Sequence, residues 1–133
     1  MGNFAIDIGE FVAKTQKRAD QLVQKLAIDS YEKVRLKTPV DTGQLRASWT
    51  VSVNHLPSSF NGSNSQTSSA KFGDTIYIAT DKVYAPMLEY GLYPQPGTAK
   101  TVNGYSVQAP QGMVRITAQE VASWLKQNAG RFS

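Results

Sequence analysis

From Ala5 to Lys37 the apolar groups return every three or four residues. Ile8, Phe11, Val12, Thr15, Ala19, Leu22, Val23, Leu26, Ser30 and Val34 fall on one stripe, the period of a helix that buries one face. The spacing predicts a single amphipathic helix over residues 5–37. Pro39 closes it, because the residue before a proline avoids the α region. Some thirty residues rising 1.5 Å each make a rod of roughly 45 Å, longer than a core of this size covers on one side. Glu10–Lys14 and Asp29–Lys33 are i,i+4 pairs in the favourable order, each adding a few tenths of a kcal/mol. Opposite the stripe lies Ile28, with Ile6 and Tyr31 on its flank. Apolar groups on the outer side of an over-long helix mark a subunit contact, so Ile28 and Tyr31 are candidate interface residues.

The period then changes to two. Ala47, Trp49, Val51 and Val53 alternate with Ser48, Thr50, Ser52 and Asn54, which predicts a half-buried strand over 47–54. Between Leu56 and Gly73 come six serines with Asn, Gly and Gln. Such a stretch buries too little to order itself, and residues 57–72 read as a mobile loop. Asp74 to Thr80 is a second strand, with Ile76 and Ile78 on one face, expected to pair antiparallel with the first. Tyr84 to Gly91 reads as a short helix, with Pro86 in its first turn and Gly91 as terminator. The Gly/Pro-rich segment 91–112 encloses Asn103-Gly104 between β-formers, a hairpin signal, since both central residues of a type I′ turn need positive φ. Val114, Val121, Trp124 and Leu125 return to helical spacing. Thr117 to Glu120 offers a capping box, which leaves the start anywhere from Gln111 to Ala118. The order predicts an α+β fold: a long N-terminal helix and a C-terminal helix packed on a small antiparallel β-sheet, in one domain spanning 1–133.

Composition narrows the function classes. With 41% hydrophobic and 18% charged residues, the chain can build a single core and wholesale disorder is not expected. No window reaches the eighteen or so apolar residues of a membrane span, and the first residues read as neither a signal peptide nor a myristoylation site. Cysteine is absent, which excludes disulfides and thiol chemistry and fits folding in a cytoplasm. The net charge of +4 is spread evenly. Residues 1–46 hold eight Lys and Arg against six Asp and Glu, and the remainder six against four. Nucleic-acid footprints cluster their positive charge. A DNA-contacting basic module, using Lys14, Lys17, Arg18 and Lys25, is therefore only the alternative reading.

Catalytic constellations do not assemble. The one histidine, His55, sits at a strand end beside Leu56-Pro57. No metal-ligand spacing, phosphate loop or nucleophile elbow is present. Catalytic, metal-binding and cofactor-binding residues are accordingly expected to be none. Two clusters stand out instead. Thr38-Pro39-Val40-Asp41-Thr42-Gly43-Gln44-Leu45-Arg46-Ala47-Ser48-Trp49 joins helix to strand. Asp41 or Thr42 can accept from a following turn, Gly43 relaxes the backbone, and Leu45 and Trp49 enter the core. The second cluster is Tyr84-Ala85 with Glu89-Tyr90-Gly91, a capped helical turn with aromatic anchors. Arg46 and Glu89 are the charged members of these clusters, and a part-buried carboxylate needs a partner. They are expected to meet.

A helix, then TPVDTGxLRxSW, a strand, YAxxxEYG and an APxGMVR segment resembles the tail-completion or neck proteins of long-tailed phages. The resemblance runs from about Ala27 to Lys126. Its first motif falls on Thr38, Pro39, Asp41, Thr42, Gly43, Leu45, Arg46, Ser48 and Trp49. The second falls on Tyr84, Ala85, Glu89, Tyr90 and Gly91, and the third on Ala109-Pro110 and Gly112 to Arg115. Leu92 to Val107 is longer than the family's usual Gly-Pro link. The resemblance implies a non-enzymatic virion protein made in the host cytoplasm. It implies a hexameric homo-oligomeric ring between the head connector and the tail-terminator and tail-tube proteins, with DNA passing through its lumen without sequence-specific binding.

Overall fold

The computed structural model describes residues 16–40, 43–94, 97 and 99–128. The predicted opening of the first helix (5–15, with Ile6) and the turn residues Asp41 and Thr42 lie outside the described residues. Within them, helix α1 spans Gln16–Lys37. Ala19, Leu22, Val23, Leu26, Ser30 and Val34 are all buried, as the stripe requires. Ala27 and Tyr31 widen it. The tyrosine is thus a core residue and not part of an outer face, a correction to the sequence reading. Its hydroxyl donates to the Gly62 carbonyl at 2.6 Å, and that polar anchor draws the ring inward.

The first predicted strand begins later than alternation suggested. Gly43, at φ +69°, opens a short helix α2 (Gln44–Ser48), closed by Ala47 N–H donating to the Gly43 carbonyl at 3.1 Å. Ala47 and Ser48 therefore belong to a helical turn and Ala47 is exposed. Strand β1 is only Thr50–Val53. It pairs antiparallel with β2 (Ile76–Ala79), Val51 opposite Ile78.

The serine-rich stretch also departs from its expectation of having nothing to bury. A 3-10 helix at Ser65–Ser69 places Thr67 and then Ala70 in the interior. The segment lies along the free edge of β1, where Val51 N–H donates to the Ser63 carbonyl and Val53 N–H to Gln66 Oε1, both at 2.9 Å. Satisfying an otherwise open strand edge is what its polar side chains and carbonyls supply in place of hydrophobic area. Covered from that side, Thr50 and Ser52 are buried too.

Helix α3 (Ala85–Tyr90) follows with Pro86 in its first turn, and Gly91 at φ +67° terminates it. A two-residue hairpin, β3 (Thr101–Val102) and β4 (Tyr105–Ser106), turns on Asn103 at φ +51° and Gly104 at φ +86°. Helix α4 spans Val114–Asn128. The capping box at Thr117 does not form. Thr117 is already one turn inside the helix, its hydroxyl donating to the Met113 carbonyl at 2.6 Å.

Helix α4 runs antiparallel along α1. Glu120 Oε1 lies 2.6 Å from Lys37 Nζ and 3.5 Å from Lys33 Nζ, and Lys25 stands 5.3 Å from the Trp124 ring centre. The predicted Asp29–Lys33 pair is replaced by Lys25–Asp29 at 2.8 Å, because Lys33 is turned toward α4. Among the described residues the result is an α+β molecule: two long helices, two short ones, two small antiparallel sheets, and a core of Leu22, Val34, Trp49, Ile76, Ile78 and Met113.

Candidate functional site

Both motif clusters resolve into tightly bonded joints, and each joint converges on the start of α4. In the first, Thr38 is the hub. Its hydroxyl donates to the Val34 carbonyl at 2.7 Å and accepts from Trp49 Nε1 at 2.8 Å, with Met113 Sδ alongside at 3.3 Å. Pro39, just past the end of α1, is buried. Leu45 and Trp49 are buried, as predicted. Ser48 and Thr80 share a buried hydroxyl–hydroxyl bond that ties α2 to the end of β2.

Arg46 stays within this joint. Its Nη2 donates to the Thr38 carbonyl at 2.9 Å and to the Leu36 carbonyl at 3.5 Å. Glu89 has other partners entirely, so the expected Arg46–Glu89 pair is corrected. The guanidinium satisfies the orphan carbonyls that every helix C-terminus leaves, here those of α1, and has no need of a carboxylate.

Glu89 is fully buried and serves the opposite kind of helix end. Oε1 accepts from Met113 and Val114 N–H at 2.8 and 2.7 Å. Oε2 accepts from Arg115 N–H and Nε at 2.9 and 3.0 Å. Arg115 Nη2 closes the ring of bonds on the Glu89 carbonyl at 2.7 Å. A carboxylate here meets three free backbone N–H groups and the positive end of the helix dipole, which is why a buried charge is tolerated. The same hydrogen bond holds the Arg115 guanidinium above its usual pKa. Gly112 makes the approach possible: a side chain there would come within 2.6 Å of the Glu89 carbonyl oxygen.

Tyr84 is half-buried against the core, whereas Tyr90 is exposed, with the Arg115 guanidinium 4.5 Å from its ring centre. The aromatic-anchor expectation holds for the first and is corrected for the second. Gly91 lies directly beneath the hairpin. A Cβ there would sit 2.4 Å from the Tyr105 ring, and the neighbouring Tyr93 N–H donates to the Gly104 carbonyl at 2.9 Å. The long Leu92–Val107 insertion is therefore pinned at its base. Sequence reasoning missed the roles of Thr38 and Arg115. Both stand inside quoted motifs, and the run Gly112 to Arg115, just ahead of helical spacing, is the signal that could have suggested a helix start awaiting an anion.

Above these joints two apolar areas face solvent. One is the outer side of α1, where Ile28 is 41% and Leu36 72% exposed. The other follows α3: Val83 at 74%, then Met87 and Tyr90 on the same helical face, and Leu92 at 59%. Among the described residues, no helix is long and apolar enough to cross a membrane, and no cluster of three or more His, Asp or Glu could hold a metal ion.

A family model described as a tail component of the bacteriophage HK97-gp10 type matches residues 4–91. That span takes in both the helix-to-strand joint and α3. No curated protein matches the chain, and neither does a solved structure. A tail component is a structural part of the virion that contacts other phage structural proteins. The ordered motifs, their two bonded joints and a match over most of the chain agree, and the protein belongs to the HK97-gp10-like family of phage tail components.

Proposed function

We propose that this chain is the tail-completion, or neck, subunit. Identical copies close into a hexameric ring that joins the head connector to the tail terminator and tail tube, DNA passes through the lumen, and no residue carries out a reaction. One observation supports this reading most: a single small chain exposes apolar side chains on two separate elements, Ile28 and Leu36 on α1, and Val83, Met87, Tyr90 and Leu92 in and around α3. A ring needs a heterologous interface made of two different patches on each subunit. Beneath the second area, the Glu89–Arg115 network holds α3 and the start of α4 in one rigid piece, as a joint that transmits force would need.

A DNA-contacting module draws support only from net charge. Lys25, Lys33 and Lys37 are each engaged by Asp29 or Glu120, which reduces the free positive charge along α1. Immunogold labelling of virions carrying a tagged copy tests the position. Label confined to the head–tail junction is expected, whereas label spaced along the tail would sink the neck assignment. Binding of duplex DNA that weakens steeply and linearly on a log–log salt plot would favour the alternative.

A further inference from the structure

We propose that Asn103 is a modification site: its side-chain amide is lost to the backbone nitrogen of Gly104, and the tip of the hairpin turns from neutral to acidic. The chain carries two Asn-Gly pairs, Asn61-Gly62 and Asn103-Gly104, both with an exposed asparagine. A glycine after asparagine leaves the attack unobstructed, so the local sequence makes the two pairs equally reactive. The reaction needs no partner beyond water. Gly104 N gives up its proton and attacks Asn103 Cγ. The new C–N bond closes a succinimide ring as the Cγ–Nδ2 bond breaks, and ammonia leaves with that proton. Water then opens the ring at either carbonyl. Cleavage at Cγ gives aspartate. Cleavage at the main-chain carbonyl gives isoaspartate, in which the chain runs on through Cβ and Cγ.

The fold separates the two pairs. Attack requires the peptide plane after the asparagine to rotate toward its own side chain, and hydrogen bonds around that plane resist the rotation. At Gly62 the attacking nitrogen is itself tied, its N–H donating to the buried Thr50 Oγ1 at 3.0 Å. The Gly62 carbonyl accepts from the Tyr31 hydroxyl at 2.6 Å, and Asn61 Oδ1 accepts from Ser63 N–H at 3.1 Å. The Ala47 carbonyl closes the space over this glycine, where a Cβ would come within 2.5 Å of its oxygen. At Gly104 it is the carbonyl that is held, by Tyr93 N–H at 2.9 Å. Among the described residues, no hydrogen bond engages the Gly104 N–H or the Asn103 side chain. Gly104 is buried in the closed turn, so the turn opens before the ring forms. Strands of two residues each bracket it, and so short a hairpin is marginal by itself. Asn103 also sits at φ +51°, a conformation asparagine tolerates at a cost. Opening therefore costs less here than at Gly62, where three bonds must be given up. Isoaspartate lengthens the main chain, and a turn that needs positive φ at both central residues does not re-form around it.

The full chain is held folded in mildly alkaline buffer, sampled over time, digested with trypsin and read by mass spectrometry, with isoaspartyl methyltransferase labelling the iso form. Cleavage after Arg46, Lys71, Lys100 and Arg115 puts Asn61 in peptide 47–71 and Asn103 in peptide 101–115, where it is the only asparagine. The amide at Asn103 is expected to be lost about tenfold faster than that at Asn61, the equivalent of about 1.4 kcal/mol in opening. In urea the two sites are expected to convert at nearly the same rate, because the fold no longer distinguishes them. Thr50→Val removes the acceptor of the Gly62 N–H and is expected to quicken conversion at Asn61 while leaving Asn103 unchanged. Tyr31→Phe does the same through the Gly62 carbonyl should Thr50→Val fail to fold. Asn103→Gln, whose longer side chain closes the ring poorly, is expected to leave peptide 101–115 without new acid. Equal rates at the two sites in the folded chain overturn the proposal. So do acid at Asn103 without isoaspartate, and a gap of the same size that persists in urea.

Discussion

Removing the Glu89 carboxylate leaves three backbone N–H groups at the head of α4 without an acceptor and Arg115 without its anion. Breaking a buried charged network from one side costs about 3–5 kcal/mol, so Glu89→Ala is expected to lower stability by that much in urea titration. Glu89→Gln keeps one acceptor oxygen and should lose about half. Arg115→Ala, at a side chain 51% exposed, is expected to cost about 1 kcal/mol, and an equal loss in Arg115→Ala and Glu89→Ala would show that the helix N–H groups contribute little. Trp49→Ala removes a fully buried ring and its bond to Thr38, for about 3–5 kcal/mol. Trp49 and Leu45 were legible as core in the sequence because large apolar groups declare themselves. Arg46 and Glu89 were legible as needing partners and misassigned to each other. Each is satisfied by backbone groups at a helix end, and backbone groups leave no trace in a search for opposite charges.

At the level of elements, α1, α3 and the hairpin were readable, because a sustained 3.6 period, a Pro–Gly bracket and an Asn-Gly turn each have one dominant solution. The boundary of β1 was not. Ala47 and Trp49 alternate as a strand would, yet the left-handed Gly43 starts a helical turn beneath them. The serine-rich segment was read by its lack of hydrophobic period, which says nothing about edge pairing. Its anchors predict an uneven segment. Amides held by Asn64 and Thr67 carbonyls should exchange slowly, and those of 57–60 fast, in native-state hydrogen exchange. Tyr31→Phe deletes the bond to the Gly62 carbonyl. It should cost about 1 kcal/mol and speed exchange at 62–70 ahead of the rest, and uniform acceleration across the protein would contradict the anchoring role.

For the whole molecule, the α1–α4 pairing carries a pH dependence. The Lys37 hydrogen bond, aided by Lys33, holds the Glu120 carboxyl below its ordinary pKa. A group depressed in the folded state stabilises it above the unfolded pKa, and that contribution disappears as pH falls through the folded value. Glu120→Gln should therefore destabilise slightly at neutral pH, by less than about 1 kcal/mol for a solvated pair. The difference from wild type should close in acid, and a gap that persists at low pH would mean the loss is packing. Sequence could not show this pairing, since nothing local links residue 120 to residues 33 and 37. The outer face of α1 was legible in part: Ile28 is exposed as read, while Tyr31 is not. Ile28→Asp should stay folded, within about 0.5 kcal/mol of wild type, yet fail to complement a phage lacking this protein, since charge inside an interface loses its hydration without gaining a partner.

Assembly by like subunits is the central claim, and native mass spectrometry of the purified chain, with Ile28→Asp beside it, tests it most directly. The account predicts a discrete sixfold species for the wild type and a folded monomer for the variant. A wild-type chain that remains monomeric at every concentration, or a variant that forms the same ring, would contradict it.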